Sequence, residues 1–369
     1  MTLASRLPEY PWDDLAPLKE KASTFQNGPV DLSIGTPVDP VPAVIQAALS
    51  AAADAPGYPQ TAGTPALRAA AAGWLSRVLD VCVAPETVLP VIGTKELVAW
   101  LPTMLGLSPS DTVLYPSLAY PTYDIGAKLA GASGLATGEA APDAASLPGH
   151  PGLYWVNSPS NPSGEVKTAS WLRSAVDWAR SQGCVVASDE CYITLGWSAT
   201  PVSVLHSSVN GGSLDGLIAV HSLSKRSNLA GYRAGFITGD PALMKDLLLV
   251  AKQAGMIVPG PVQAAMTVAL EDDAHAHAQK ERYAARRAIL ADGLTAAGFR
   301  IDHSEAGLYL WATHPDHDSR SAVTWLATEA GLLVGPGHFY GLDGERHIRV
   351  ALTATDERVA EAGRRLRAL

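Results

Sequence analysis

Lys225 stands in Ser222-Leu223-Ser224-Lys225, directly after the apolar run Leu217–Val220. An amine placed there and partly stripped of water can form an imine with an aldehyde; a solvated loop lysine is the plainer alternative. Asp189 closes Val185-Val186-Ala187-Ser188-Asp189. A carboxylate at the end of a buried strand is costly without a partner. A protonated pyridine nitrogen would serve, and the charge would make that ring an electron sink; an N-cap or a buried salt bridge would serve structurally. Tyr192 follows closely enough to reach a phenolic oxygen on the same ring. Arg233, in Gly231-Tyr232-Arg233-Ala234-Gly235, forms with a hydroxyl such as Ser222 a clamp for a phosphate dianion, unless it is a structural ion pair. Gly93-Thr94-Lys95 adds the free N–H groups of a helix start.

These residues need elements to hold them. Val88–Ile92, Thr112–Tyr115, Leu153–Val156, Cys184–Ala187 and Leu217–Val220 are short apolar runs, each followed by a polar loop. Trp171, Leu172, Ala175, Val176 and Ala179 share one helical face. Short buried strands alternating with helices predict an α/β fold with a mostly parallel central sheet, covered on both faces. Ligands bind such sheets beyond the carboxyl ends of the strands, which is where all five runs carry their polar residues.

The last hundred residues change character. An Arg- and Ala-rich helix over 280–297 and strands over 307–312 and 347–352 predict a smaller α+β domain. The expected organisation is an arm over 1–40 joining that small domain, a large ligand-binding domain over 41–265, and the small domain over 266–369. Residues 1–30, with Pro8, Pro11, Pro17 and Asn27-Gly28, read as extended, and 136–151 as a surface excursion.

The chain has 369 residues, 47% hydrophobic and 17% charged, with a net charge of −9. That composition is globular, and its sign argues against nucleic acid as partner. Three cysteines without paired spacing argue against a disulfide framework or structural zinc. No leader pattern or spanning segment is visible, so a cytoplasmic protein without membrane contact is expected. His275 and His277 are two apart, which places them on different sides of a helix, and read as solvated rather than metal-binding. Cys191 reads as a packed thiol.

Asn161-Pro162-Ser163-Gly164, Ser188-Asp189-Glu190-Cys191-Tyr192, Ser222-Leu223-Ser224-Lys225, Gly231-Tyr232-Arg233-Ala234-Gly235 and His347-Ile348-Arg349-Val350 occur in that order. Together they resemble the class I/II, fold-type I aminotransferases that use pyridoxal 5′-phosphate (PLP), over nearly the whole chain. The resemblance implies that Lys225 carries PLP as a Schiff base and shuttles the proton, and that Asp189 pairs with the pyridine nitrogen. Asn161 and Tyr192 would bond the phenolic oxygen and Tyr120 would stack on the ring. Thr94, Lys95 through its N–H, Ser222 and Arg233 would hold the phosphate. Tyr58 would reach the phosphate of a partner subunit, implying a homodimer. Arg349 would grip the substrate α-carboxylate, with Gly35 bringing backbone close to it. Thr94-Lys95 departs from the small residue and Gln or Ala common in the family loop, and leaves the Lys95 side chain without a role.

Leu32–Pro42, His221–Asn228 and Ala254–Pro259 look like the actinobacterial N-succinyldiaminopimelate aminotransferases of lysine biosynthesis. That implies amino exchange between L-glutamate, giving 2-oxoglutarate, and N-succinyl-2-amino-6-oxopimelate. Lys95 and Arg226 are candidates, by charge, for the distal anionic groups. The competing readings are an aminotransferase for another amino acid, a β-lyase on the same scaffold, and a PLP-binding sensor domain, which the acidic charge disfavours.

Overall fold

The computed structural model describes residues 2–369. In chain order the strands are β1 (Val30–Leu32), β2 (Leu89–Ile92), β3 (Asp111–Pro116), β4 (Ser133–Thr137), β5 (His150–Asn157) and β6 (Val185–Asp189). They continue as β7 (Leu217–Ser222), β8 (Ala234–Gly239), β9 (Arg300–Asp302), β10 (Tyr309–Thr313), β11 (Leu332–Pro336) and β12 (His347–Ala351). Seven of them form a sheet in the order β2-β8-β7-β6-β5-β3-β4. Only β8 runs against its neighbours. The carboxyl ends of β2, β3, β5, β6 and β7 therefore open on one edge, together with the amino end of β8.

The apolar runs have a direct cause. Tyr154, Val156, Val186, Ala219 and Phe236 face one core, with Trp74 and Leu172. Their neighbours Trp155, Ala187, Val220 and Ile237 face the other, with Leu97 and Tyr123. Strands buried on both faces lose the alternation of a half-exposed sheet. The helix Ala169–Ser181 buries Leu172, Ala175, Val176 and Ala179 as its spacing predicts, and Thr168 caps it by accepting from the Trp171 N–H.

The second sheet has the order β1-β11-β12-β10-β9. β1 lies parallel to β11, and the remaining pairs are antiparallel. The helix Ala274–Ala296, which begins earlier than its Arg-rich stretch suggests, closes this layer with Tyr283, Leu290 and Leu294. Three expectations change. Residues 2–30 are not extended throughout: Leu3–Arg6 and Pro11–Leu15 are 3-10 turns and Ala16–Ser23 is a helix, whose Leu18 and Ala22 pack on Ala327 and Leu333. The stretch 136–151 is not wholly a loop, since β4 ends at Thr137 and β5 starts at His150. His275 is not solvated; its Nδ1 meets Asp272 at 3.0 Å and its Nε2 meets the Ser227 hydroxyl at 2.8 Å. No helix among the described residues is long and apolar enough to cross a membrane.

Candidate active site

The open edge of the seven-stranded sheet brings most of the singled-out residues together. Lys225 lies on the short helix Leu223–Arg226, one turn past β7. Its Nζ donates to the Gly35 carbonyl and makes no ion pair among the described residues. Burial holds its amine below the ordinary lysine value. Gly35 must be glycine, because a Cβ there would run into the Tyr309 hydroxyl.

Asp189, 7% exposed, ends β6 and makes no ion pair among the described residues. Its Oδ2 accepts from the Tyr123 hydroxyl at 2.9 Å and its Oδ1 from the Cys191 N–H at 3.2 Å. Burial nevertheless pushes its carboxyl upward, against the hydrogen bonds from Cys191 and Tyr123. Tyr120, half-buried, stands edge-on to Tyr123, whose ring stacks on Trp155. Asn157 joins the neighbouring strand ends: its Nδ2 donates to the Asp189 carbonyl at 2.9 Å and its Oδ1 accepts from the Asn161 N–H at 2.8 Å.

A cradle lies to one side. Gly93, at φ +74°, leads into the helix Thr94–Met104, and a Cβ at Gly93 would strike the Arg233 guanidinium. Arg233 is exposed, holds φ +56° and donates to the Ala230 carbonyl at 2.8 Å. The Ser222 hydroxyl, on β7 opposite Gly235, accepts from the Ser224 N–H at 3.1 Å. The Thr94 hydroxyl accepts from the Cys191 thiol at 3.3 Å. The Lys95 ammonium sits 5.3 Å from the centre of the Tyr10 ring.

On the other side, Arg349 enters from β12. Its Nη1 donates to Asn161 Oδ1 at 2.9 Å and its Nη2 to the Ser33 carbonyl at 2.7 Å. The Tyr309 ring lies 3.9 Å from its guanidinium carbon and the Tyr340 ring 4.8 Å. The Tyr192 and Tyr309 hydroxyls meet at 3.2 Å. Burial pushes both phenols up, but the charges of Arg349 and Lys225 outweigh it at Tyr309 and hold that phenol below its ordinary value.

Two expectations fall outside this constellation. Tyr58 is fully exposed on the loop before the helix Pro65–Leu79. Arg226, a candidate for distal anions, points away: its Nη1 donates to the Ala269 carbonyl at 2.7 Å, its Nη2 pairs with Asp273 at 3.3 Å, and its guanidinium lies over Trp74. Four residues at the centre escaped the sequence reading: Tyr123, Asn157, Tyr309 and Tyr340. Tyr123 carried a usable signal, because it stands on the helix Thr122–Ala130 that begins just after Tyr120.

The model of the family described as "Aminotransferase class I and II" matches residues 27–366. The chain belongs to the class I and II aminotransferases. It is 57% identical over 360 residues to 4-dedimethylamino-4-oxo-anhydrotetracycline transaminase of Streptomyces rimosus, covering 98% of this chain and 99% of that one. It is 56% identical over 367 residues to a probable aminotransferase of Mycobacterium tuberculosis, covering 99% and 86%. Among solved structures, an aminotransferase of Neisseria meningitidis superposes with TM-score 0.90 at 31% identity, covering 100% of this chain and 99% of that one. The N-succinyldiaminopimelate aminotransferase of M. tuberculosis superposes with TM-score 0.86 at 25% identity, covering 100% and 99%.

Aminotransferases of this family use PLP. The residues present suit it. A buried carboxylate without a cation matches a pyridinium, and a buried amine without a carboxylate matches an aldehyde carbon. A glycine close against an arginine at a helix start sets backbone N–H groups beside a guanidinium, as a phosphate requires.

Proposed function

We propose that this aminotransferase exchanges the amino group of L-glutamate with N-succinyl-2-amino-6-oxopimelate, acting as an N-succinyl-LL-2,6-diaminopimelate:2-oxoglutarate aminotransferase in a cytoplasmic homodimer. In this reading residues 41–265 form the PLP-binding domain, 266–369 the small domain, and 1–40 the arm attached to it.

PLP, when bound, supplies an electron sink for charge developing at the substrate Cα. Asp189 holds the ring nitrogen protonated, and Tyr123 and the Cys191 N–H keep that carboxylate aimed. Asn161 and Tyr192 bond the phenolic oxygen, and Tyr120 covers the ring. Thr94 and Lys95 through their N–H groups, with Ser222 and Arg233, hold the phosphate, and Tyr58 of one protomer completes the partner's cradle. Arg349 binds the α-carboxylate bidentately and so sets which bond at Cα lies perpendicular to the ring. Lys225, its amine held below the ordinary lysine value by burial, takes the Cα proton and returns it on the other side of the exchange. Lys95 remains the cation placed to meet a distal carboxylate, near the arm residue Tyr10.

The observation that carries the aminotransfer reading is the buried Lys225 amine, which has no carboxylate partner and feels the charge of Arg349, in a chain that also buries the Asp189 carboxylate without an ion pair. The substrate rests on resemblance, supported by relatives such as the LL-diaminopimelate aminotransferase of Aquifex aeolicus, 32% identical over 379 residues. The S. rimosus relative favours a second reading, amino transfer to a bulky ring ketone. Absorbance of the PLP-loaded protein tests both. The band near the visible edge should fade with L-glutamate and return with a keto acid. Fading with N-succinyl-LL-diaminopimelate at lower concentration than with common amino acids would establish the first reading. No response to it, with glutamate still active, would leave the second.

A further inference from the structure

We infer that Asp39 is a positioning residue for the aminotransfer reaction: its buried carboxylate, gripped from both sides by Arg286 and Gln279, fixes the segment 33–40 so that the Ser33 and Gly35 carbonyls meet Arg349 and Lys225. The inference rests on the aminotransfer reading above, although the geometry does not depend on the substrate.

Three observations converge. First, the segment reaches the reacting groups only through backbone oxygens. Gly35 accepts from Lys225 Nζ, Ser33 accepts from Arg349 Nη2 at 2.7 Å, and Ile34 accepts from the Thr353 hydroxyl at 3.0 Å. Backbone acceptors have no rotamer to adjust, so their aim is set wholly by where the chain is held.

Second, the segment is loosely packed by its own side chains. Ile34 is 45% exposed and Val38 46% exposed. Apolar burial therefore contributes little to holding it.

Third, Asp39 is the tie. Its side chain is 8% exposed, and that of Arg286 is 2% exposed. Arg286 donates from Nη1 to Oδ2 at 2.8 Å and from Nη2 to Oδ1 at 2.6 Å, a bidentate fork. Gln279 Nε2 donates to Oδ2 at 2.8 Å, and Arg282 Nη1 adds a bond to Oδ1 at 3.1 Å. Both ends of this tie are themselves held. Arg286 Nε donates to Asp356 at 2.7 Å, at the first turn of the helix Asp356–Leu366. Asn228 Nδ2 donates to Gln279 Oε1 at 3.0 Å and to the Pro40 carbonyl at 3.3 Å. Asn228 follows Lys225 after Arg226 and Ser227, in the left-handed region at φ +56°. One carboxylate thus links the segment, the helix Ala274–Ala296 and the loop that carries Lys225. The arginine and glutamine bonds hold its carboxyl below the ordinary aspartate value although burial pushes the other way.

The arrangement separates positioning from bulk stability. Loosening Asp39 should free the 33–40 carbonyls while both sheets stay intact, and Arg349 would then lose the acceptor that orients it toward a carboxylate.

The test uses the full chain with Asp39→Asn and, as a milder break, Arg286→Lys. Hydrogen exchange, measured without added PLP, should speed by about tenfold or more in peptides covering 31–42, while peptides from β5, β6 and β7 stay within about twofold of the parent. With PLP and L-glutamate, KM should rise about tenfold with kcat falling less than about threefold, and Arg286→Lys should fall between parent and Asp39→Asn. Unchanged exchange over 31–42, or faster exchange across both sheets alike, would overturn the inference. If Asp39→Asn does not fold, Arg286→Lys decides by the same exchange pattern. If the parent transfers no amino group, the functional reading fails while the exchange result still decides the role of Asp39.

Discussion

Arg349 and Arg233 both lie close enough to act on the Lys225 amine, yet they stand in opposite surroundings. Arg349 is 3% exposed, bonded to Asn161 and Ser33 and lying against the rings of Tyr309 and Tyr340. Arg233 is exposed, with one bond to the Ala230 carbonyl. The protein fixes both Nη groups of the first before any ligand arrives, leaving its buried Nε without a partner; the second is held by the protein through one bond and is to be completed by its ligand. Preorganisation lowers the entropy lost on binding, so the enclosed arginine suits a substrate that comes and goes. The open one suits a group that binds once and stays.

The largest break of this contrast falls on Lys225 itself. Lys225→Met should lower turnover at least about a thousandfold, because no neighbouring group replaces its amine, and should abolish the visible-edge band. At the enclosed arginine, Arg349→Lys keeps the charge but loses the fork. It should lower kcat/KM for L-glutamate about a hundredfold, and should also lower the melting temperature by several degrees, since buried acceptors lose their donor. At the open one, Arg233→Gln should weaken PLP binding about tenfold by titration, with a melting temperature of the cofactor-free protein within about a degree of the parent. Equal melting losses for the two arginine variants would erase the contrast.

An effect on stability alone concerns the buried pair Glu190 and His221. Glu190 and His221 are both buried, with Oε2 and Nε2 3.6 Å apart. Burial raises the Glu190 carboxyl to about 7 and lowers the His221 imidazole to about 3, so near pH 5 the two face each other uncharged. A carboxyl raised on folding favours the folded state below its ordinary value near 4.5, and that contribution is lost as pH rises through about 7. Glu190→Gln removes this loss. The variant should match the parent near pH 4.5 and exceed it by about 1–3 kcal/mol above pH 7.5, read from denaturant melts. His221 titrates lower and in both proteins, so it leaves the difference unchanged.

Legibility followed the same division. Strands β2, β3, β5, β6 and β7 were visible because both of their faces are buried, and their polar ends then marked Asp189, Ser222 and Lys225. β1 is three residues long, β4 is an edge strand of Ser-Gly-Leu-Ala-Thr, and β11 ends in Gly335-Pro336; none carries a run long enough to stand out. Single polar residues were harder. Arg226 looked like a ligand-binding cation and His275 like a solvated one, yet each is held by partners the chain brings in from a distance, Ala269 and Asp273 for one and Ser227 for the other. Charge and hydropathy are local properties, whereas a partner is set by the fold.

The reversed strand β8 has a consequence for how the molecule assembles. Because β7 and β8 pair as neighbours in sequence, Lys225 and Arg233 lie on the connection between two adjacent antiparallel strands. Local pairings close small loops and form readily, whereas contacts between chain ends wait for the rest. Ser33, Asn161 and Arg349 come from the beginning, middle and end of the chain. The anchor for the cofactor is therefore expected to take shape early in folding, and the grip on the substrate last, so that a chain caught part-way through folding would hold the lysine and its arginine in place without yet having a substrate pocket.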